Sequence, residues 1–181
     1  MTAPFLLAAL AFLAAGTGPA PLGDPLFQSQ EEREGFLAAL AKLDSDYDPA
    51  ERMLERPFSS PGCRTAPAAG GIHPTRESLA YAVGLLDWGD PERLGQAEEV
   101  LRRVIGLQDQ DPESRTYGIW PRFLEEPLSR MSPPDGSWAD VCAVHLLQAA
   151  LDHGGRFAPD LQALVKGSIL HAAASIRRTG A

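Results

Sequence analysis

The stretch Glu77–Trp88, ESLAYAVGLLDW, decides the fold. Leu79, Val83 and Leu86 fall on one helical stripe and Tyr81, Leu85 and Trp88 on another, so the segment is apolar on nearly every side. A helix of that kind needs neighbours all round it. After the turn Gly89-Asp90-Pro91, Glu92–Leu107 shows the ordinary one-sided pattern. Leu94, Ala97, Leu101, Val104 and Ile105 face inward there, while Glu98, Glu99, Arg102 and Arg103 face water. The two segments predict an αα-hairpin.

The design repeats downstream. Trp138–His153, WADVCAVHLLQAALDH, is again apolar nearly all round, and Pro159–Arg178 is again one-sided, with Leu161, Leu164, Val165, Ile169 and Ile176 on its apolar stripe. The markers Leu86-Asp87-Trp88-Gly89 and Leu151-Asp152-His153-Gly154 set the repeat at about 65 residues. No segment sustains the period-two alternation of a strand. The expected fold is therefore all-α: antiparallel αα-hairpins in two layers, the wholly apolar helices inside and the one-sided helices outside.

Upstream, Gln30–Leu43 is amphipathic, with Phe36, Leu37, Leu40 and Leu43 on one stripe. Asp48-Pro49 has the character of an N-cap and first helical residue, and predicts a helical turn carrying Met53 and Leu54 inward. Pro57–Ile72 is a Gly/Pro/Ser loop, after which Thr75 is a candidate cap for the next helix. Phe5–Ala15 is an apolar run too short to span a bilayer, followed by Gly16-Thr17-Gly18-Pro19. That pattern resembles a secretory signal over residues 1–22, although no Lys or Arg precedes it. The expected mature domain is then 23–181, secreted or periplasmic, with no membrane contact after cleavage.

A chain of 181 residues suits one domain, and its net charge of −8 with no basic stripe excludes a nucleic-acid backbone as partner. Cys142 lies in an apolar helix and reads as a small core residue; a bond to Cys63 stays open. No CxxC or HExxH spacing occurs, so no metal site and no cofactor are expected.

Between the hairpins runs Arg115–Asp140, RTYGIWPRFLEEPLSRMSPPDGSWAD. An ordinary connection needs about 4–6 residues, and the excess here invites a functional explanation. Its aromatic rings beside carboxylates and guanidinium groups suit a polyhydroxylated ligand. Proline after Trp120 keeps that ring off a regular helix face, where it either stacks on a sugar or plugs the loop onto the core.

The segments His73–Asp87 (HPTRESLAYAVGLLD), Thr116–Pro127 (TYGIWPRFLEEP) and Met131–Asp140 (MSPPDGSWAD) resemble bacterial six-hairpin proteins of the (α/α) toroid class, which are similar to secreted glycosidases and polysaccharide lyases. The resemblance covers roughly residues 30–178 and is one of pattern. A ring closes with six hairpins, and this chain offers between two and three, an incomplete toroid. It implies a fragment, or a small relative that self-associates through exposed inner helices. The resemblance also implies a cleft at the start of the inner helices. A hydrolase would draw its two carboxyl groups from Glu125, Glu126, Asp135 and Asp140. A lyase would use His73 or Tyr117 as base and Arg76, Arg115 or Arg122 against a uronate carboxylate. Trp120 and Trp138 would stack on an oligo- or polysaccharide. Each group has a plainer role: Glu125-Glu126 a solvated turn, Asp135 and Asp140 helix caps, His73 a loop residue bonded to backbone, Tyr117 a core anchor. With those roles the chain is a helical-repeat interaction module without chemistry. His145 and His171 read as packing residues, and no serine sits in a nucleophile elbow.

Overall fold

Capping chemistry and apolar period together fix where the helices begin and end. The structure, a computed structural model, describes residues 27, 29–58, 71–131 and 133–179. The expected signal at 1–22 and Cys63 lie outside these residues. The chain is mainly helical. Helix α1 spans Gln30–Asp44, its first turn capped by the Ser29 hydroxyl on the Glu32 N–H. Helix α2 spans Thr75–Trp88 and stops at Gly89, whose positive φ of 74° forms the left-handed cap that glycine favours. Helix α3 spans Pro91–Ile105, with Asp90 capping the Glu92 N–H and Pro91 at the first position. Helices α4, Trp138–His153, and α5, Pro159–Thr179, follow the long connection. None of the described helices is long and apolar enough to cross a membrane.

α2 packs on α3, α4 and α1, while α5 packs on α4 and α3. The wholly apolar character of α2 is used in full: Leu79, Tyr81, Ala82, Val83, Leu85 and Leu86 are buried. Burying each large side chain contributes roughly 1.5–3 kcal/mol. Part of the cover comes from α1, whose Leu40 side chain would stand 3.1 Å from a Cβ placed on Gly84. α2 therefore lacks the open apolar side that a partial ring implies. α4 keeps one, since Val144 and Leu151 are 51% and 39% exposed. Where α1, α2 and α3 meet, Tyr81 donates to Asp44, Arg93 pairs with Asp44 at 2.8 Å, and Gln96 donates to the Tyr81 hydroxyl at 2.7 Å. The two marker sequences also meet, with His153 Nε2 2.7 Å from Asp87 Oδ1.

Two expectations are corrected. The segment after Asp48 is a turn and not a helix. β1, Tyr47–Asp48, pairs antiparallel with β2, Met53–Leu54, and Asp48 Oδ1 accepts from the Ala50 N–H at 2.8 Å. An aspartate that bonds an N–H two residues on serves an Asx turn as readily as a helix cap, and Arg52 in the left-handed region (φ 56°) turns the chain back. Met53 and Leu54 are fully buried, as expected. A second pair, β3 (Arg56–Pro57) with β4 (Gly71–Ile72), leads into α2. Thr75 is not a cap: it lies inside α2, buried, with its hydroxyl donating to Pro121 O at 2.8 Å.

Candidate functional site

The connection between α3 and α4 folds back onto the helices. Gln108 is buried, donating to Gly118 O and Ser168 O and accepting from the Ser168 hydroxyl. Gly118, at φ +79°, runs so close to α5 that a Cβ there would come within 2.2 Å of the His171 carbonyl oxygen. Trp120 has 0% exposure, and its indole N–H donates to Val104 O at 3.0 Å. This corrects its assignment as a stacking residue: proline kept the ring off a helix, and the ring went into the core.

Beyond Trp120 the chain runs beside the start of α2. Thr75 N donates to Arg122 O and Leu124 N to His73 O, both at 3.0 Å, with Pro74 bridged to Phe123. Pro74 offers no capping side chain, so backbone from the connection supplies the acceptor at the α2 start.

The same pairing brings Glu125 to His73. Glu125 Oε2 accepts the His73 backbone N–H at 3.0 Å, and Oε1 lies 2.5 Å from Nδ1. On the other side of the ring, Nε2 is 3.2 Å from Asp48 Oδ2. His73 is buried. Burial alone would lower its pKa, but the hydrogen bonds and charges of Glu125 and Asp48 outweigh it and the net shift is upward. The Asp48 carboxyl is held low, first by the Ala50 N–H and then by His73 against desolvation. Asp48, Glu55 and His73 each present a ligand atom within 4.8 Å of the others and could together hold a metal ion.

Further along the connection, a pocket of about 270 Å³ is lined by Arg122, Glu126, Met131, Pro133, Pro134, Asp135 and Gly136. Arg122 forms an ion pair with Asp135, and its guanidinium carbon sits 5.7 Å from the centre of the Trp138 ring. The Asp135 carboxyl is kept below the usual range, first by the Ser137 hydroxyl, against desolvation, and then by Arg122. Glu126 is buried and not a solvated turn residue. Trp138 is half-buried at the first position of α4.

Of the eleven candidate residues, the structure brings His73 and Glu125 together, and Arg122, Glu126, Asp135 and Trp138 together. The others stand apart. Tyr117 packs on α5, its ring 5.2 Å from that of His171 and under Arg178, which makes it an anchor. Arg115 is exposed, and its carbonyl accepts from Arg178. Arg76 is exposed and paired with its neighbour Glu77 at 2.7 Å. Asp140 is half-buried in the first turn of α4. His145 is half-buried; burial and the nearby Arg76 charge hold its pKa down. Asp48 and Glu55 were missed. Asp48 ends β1 and Glu55 joins β2 to β3, and these two-residue strands are too short to leave a period in the sequence.

The chain belongs to the family described as Domain of unknown function (DUF8769), whose model matches residues 34–181. No curated protein and no solved structure matches the chain.

Proposed function

We propose that this chain is a saccharide-binding αα-hairpin protein, laid out as a segment of an (α/α) toroid with α2 and α4 inside and α3 and α5 outside. The packing of α2 on α4 and of α3 on α5 supports those layers. One observation carries the binding role: Arg122, Glu126 and Asp135 line a single pocket, with Trp138 beneath the Arg122 guanidinium. Its volume of about 270 Å³ lies just under the ~300 Å³ where small-molecule pockets begin, and fits one sugar ring. Arg122 would meet a uronate carboxylate, the acidic groups would meet hydroxyls, and the free part of the Trp138 ring would take an apolar sugar face.

Binding is favoured over hydrolysis. A glycosidase needs one protonated and one ionised carboxyl group, and Asp135, its pKa lowered, suits only the ionised role. Glu125, half-buried, is committed to His73 and so is not free to protonate a leaving group. A secreted or periplasmic location accords with a polysaccharide ligand. Titration calorimetry with oligouronates and neutral oligosaccharides tests the role. Oligouronates should bind; Arg122→Ala should weaken them about tenfold or more, the worth of a charged hydrogen bond, and Trp138→Ala about two- to tenfold, the worth of an aromatic contact. A wild-type chain that binds none of them, or variants that bind as well as wild type, would end the proposal.

A second role, self-association of a helical interaction module, is favoured by Val144 and Leu151, which share one exposed stripe of α4. Sedimentation equilibrium should show concentration-dependent dimers that Val144→Glu abolishes. A monomer at every concentration rules this out.

A further inference from the structure

Three carboxylates surround one imidazole where the two strand pairs meet the start of α2. Asp48 and Glu125 each pair with His73, and none of Asp48, Glu55 and Glu125 forms an ion pair with Lys or Arg among the described residues. The Glu125 carboxylate accepts from Nδ1–H at 2.5 Å and from the His73 backbone N–H at 3.0 Å, an arrangement that favours the Nδ1–H tautomer and orients the ring. The Nε2 lone pair is thereby aimed at Asp48 Oδ2, 3.2 Å away. Two acceptors face each other there unless something positive lies between them, either a second ring proton or a metal ion.

Glu55 distinguishes the two cases. An imidazolium between Glu125 and Asp48 has no use for a third carboxylate. Yet the Glu55 carboxylate is drawn over the β3–β4 pair, where a Cβ on residue 71 would come 2.1 Å from its Oε1. The neighbour is the far end of an exposed, flexible side chain, so the contact records where the Glu55 carboxylate lies and leaves it free to turn. That carboxylate has no hydrogen-bond or ion-pair partner among the described residues. The ligand atoms of Asp48, Glu55 and His73 already lie within 4.8 Å of one another. A tetrahedral ion with bonds of ~2.0–2.2 Å holds its ligands ~3.4 Å apart. The His73–Asp48 spacing meets that, and rotation of the exposed Glu55 side chain closes the remainder.

We infer that Asp48, Glu55 and His73 Nε2 bind a divalent transition-metal ion of the zinc type, with Glu125 as the residue that positions the imidazole. One imidazole with two carboxylates suits Zn²⁺ or Mn²⁺; Ca²⁺ and Mg²⁺ prefer an all-oxygen shell. Three protein ligands leave a further position for water or for an oxygen of a bound molecule. A carboxylate on the far ring nitrogen is the usual support for a metal-bound histidine. The site uses none of the saccharide-pocket residues, and its test contains no saccharide.

The test takes the full chain, stripped with chelator and titrated with ZnCl₂ by calorimetry and with CoCl₂ by visible absorption. Wild type should take up one equivalent and melt at a higher temperature. Glu55→Gln changes an exposed side chain and should leave the stripped protein's melting temperature alone. That variant and Asp48→Asn should each weaken uptake at least about tenfold, and Glu125→Gln about 10–100-fold with a shifted Co²⁺ absorption band. Wild type that takes up neither ion would overturn the inference, as would uptake that is unchanged in the Glu55→Gln/Asp48→Asn double variant.

Discussion

Replacing Trp120 by alanine separates a core role from a ligand role. The indole has no exposed surface and fills the space where the connection crosses the end of α3. Truncating a buried Trp to Ala costs about 3–5 kcal/mol, most of it transfer and cavity. The lost hydrogen bond adds little beyond its ~1 kcal/mol, because Val104 O keeps the Leu107 N–H at 3.0 Å. For a chain of this size 1 kcal/mol moves the melting temperature by ~2–4 °C, so the expected drop is about 6–20 °C. Trp120→Phe keeps most of the ring and should lose clearly less. Thermal and urea unfolding followed by circular dichroism measures both. Saccharide binding, assayed well below the melting point, should survive in Trp120→Phe. If Trp120→Ala melted within ~2 °C of wild type and lost ligand binding, the indole would face a ligand and the packing account would fail.

Gly118→Ala should destabilise by more than the ~1–2 kcal/mol of a left-handed residue alone, since the new Cβ would meet the His171 carbonyl. Gly167→Ala, a helical site with open space around it, should instead stabilise by up to about 1 kcal/mol; urea titration compares the two, and equal effects would contradict the close approach. Cys142 is a free thiol buried against Thr75, with its pKa pushed by desolvation up to about 12. In a Cys63→Ser background, a thiol reagent at mild alkaline pH should label it only after denaturant is added; rapid labelling of the folded chain would refute this burial. The folded pKa of His73 is raised, so protonation favours the folded state. In chelator, the stability difference between wild type and His73→Gln should be full below the unfolded value of 6.5 and shrink as pH rises through the higher folded value. A difference that grows with pH has the wrong sign for this account.

The helices were legible because their causes are local. Asp90-Pro91, Gly89 and the apolar stripes of α2 and α3 act within a few residues, and their boundaries came out within one or two positions. The connection was legible only as an anomaly. Its aromatic load was noticed, but whether Trp120 faces water or core depends on α3, which the local sequence does not encode. His73 was singled out for its place before α2, and Glu125 for its charge. Their contact spans 52 residues and arises from backbone pairing of 73–75 with 122–124. Asp48 carried two compatible local meanings, cap and turn, and the fate of the following residues chose between them. Glu55 carried no signal, because its place near His73 depends on two strand pairs of two residues each.

The backbone acceptor supplied to α2 by the connection also sets an order of events during synthesis. Thr75 reaches its partner Pro121 across 46 residues. While the chain leaves the ribosome, α2 and α3 can coil and meet, but the first turn of α2 stays open until residues 121–125 have emerged. Closing such a loop costs entropy before any contact repays it. The first hairpin should therefore wait half-made, its leading end frayed and its apolar faces a target for chaperones, until the connection arrives to fasten it. A ribosome-bound chain exposed only through Gln110 should accordingly be cut by protease near His73, and one exposed through Arg130 should be protected there.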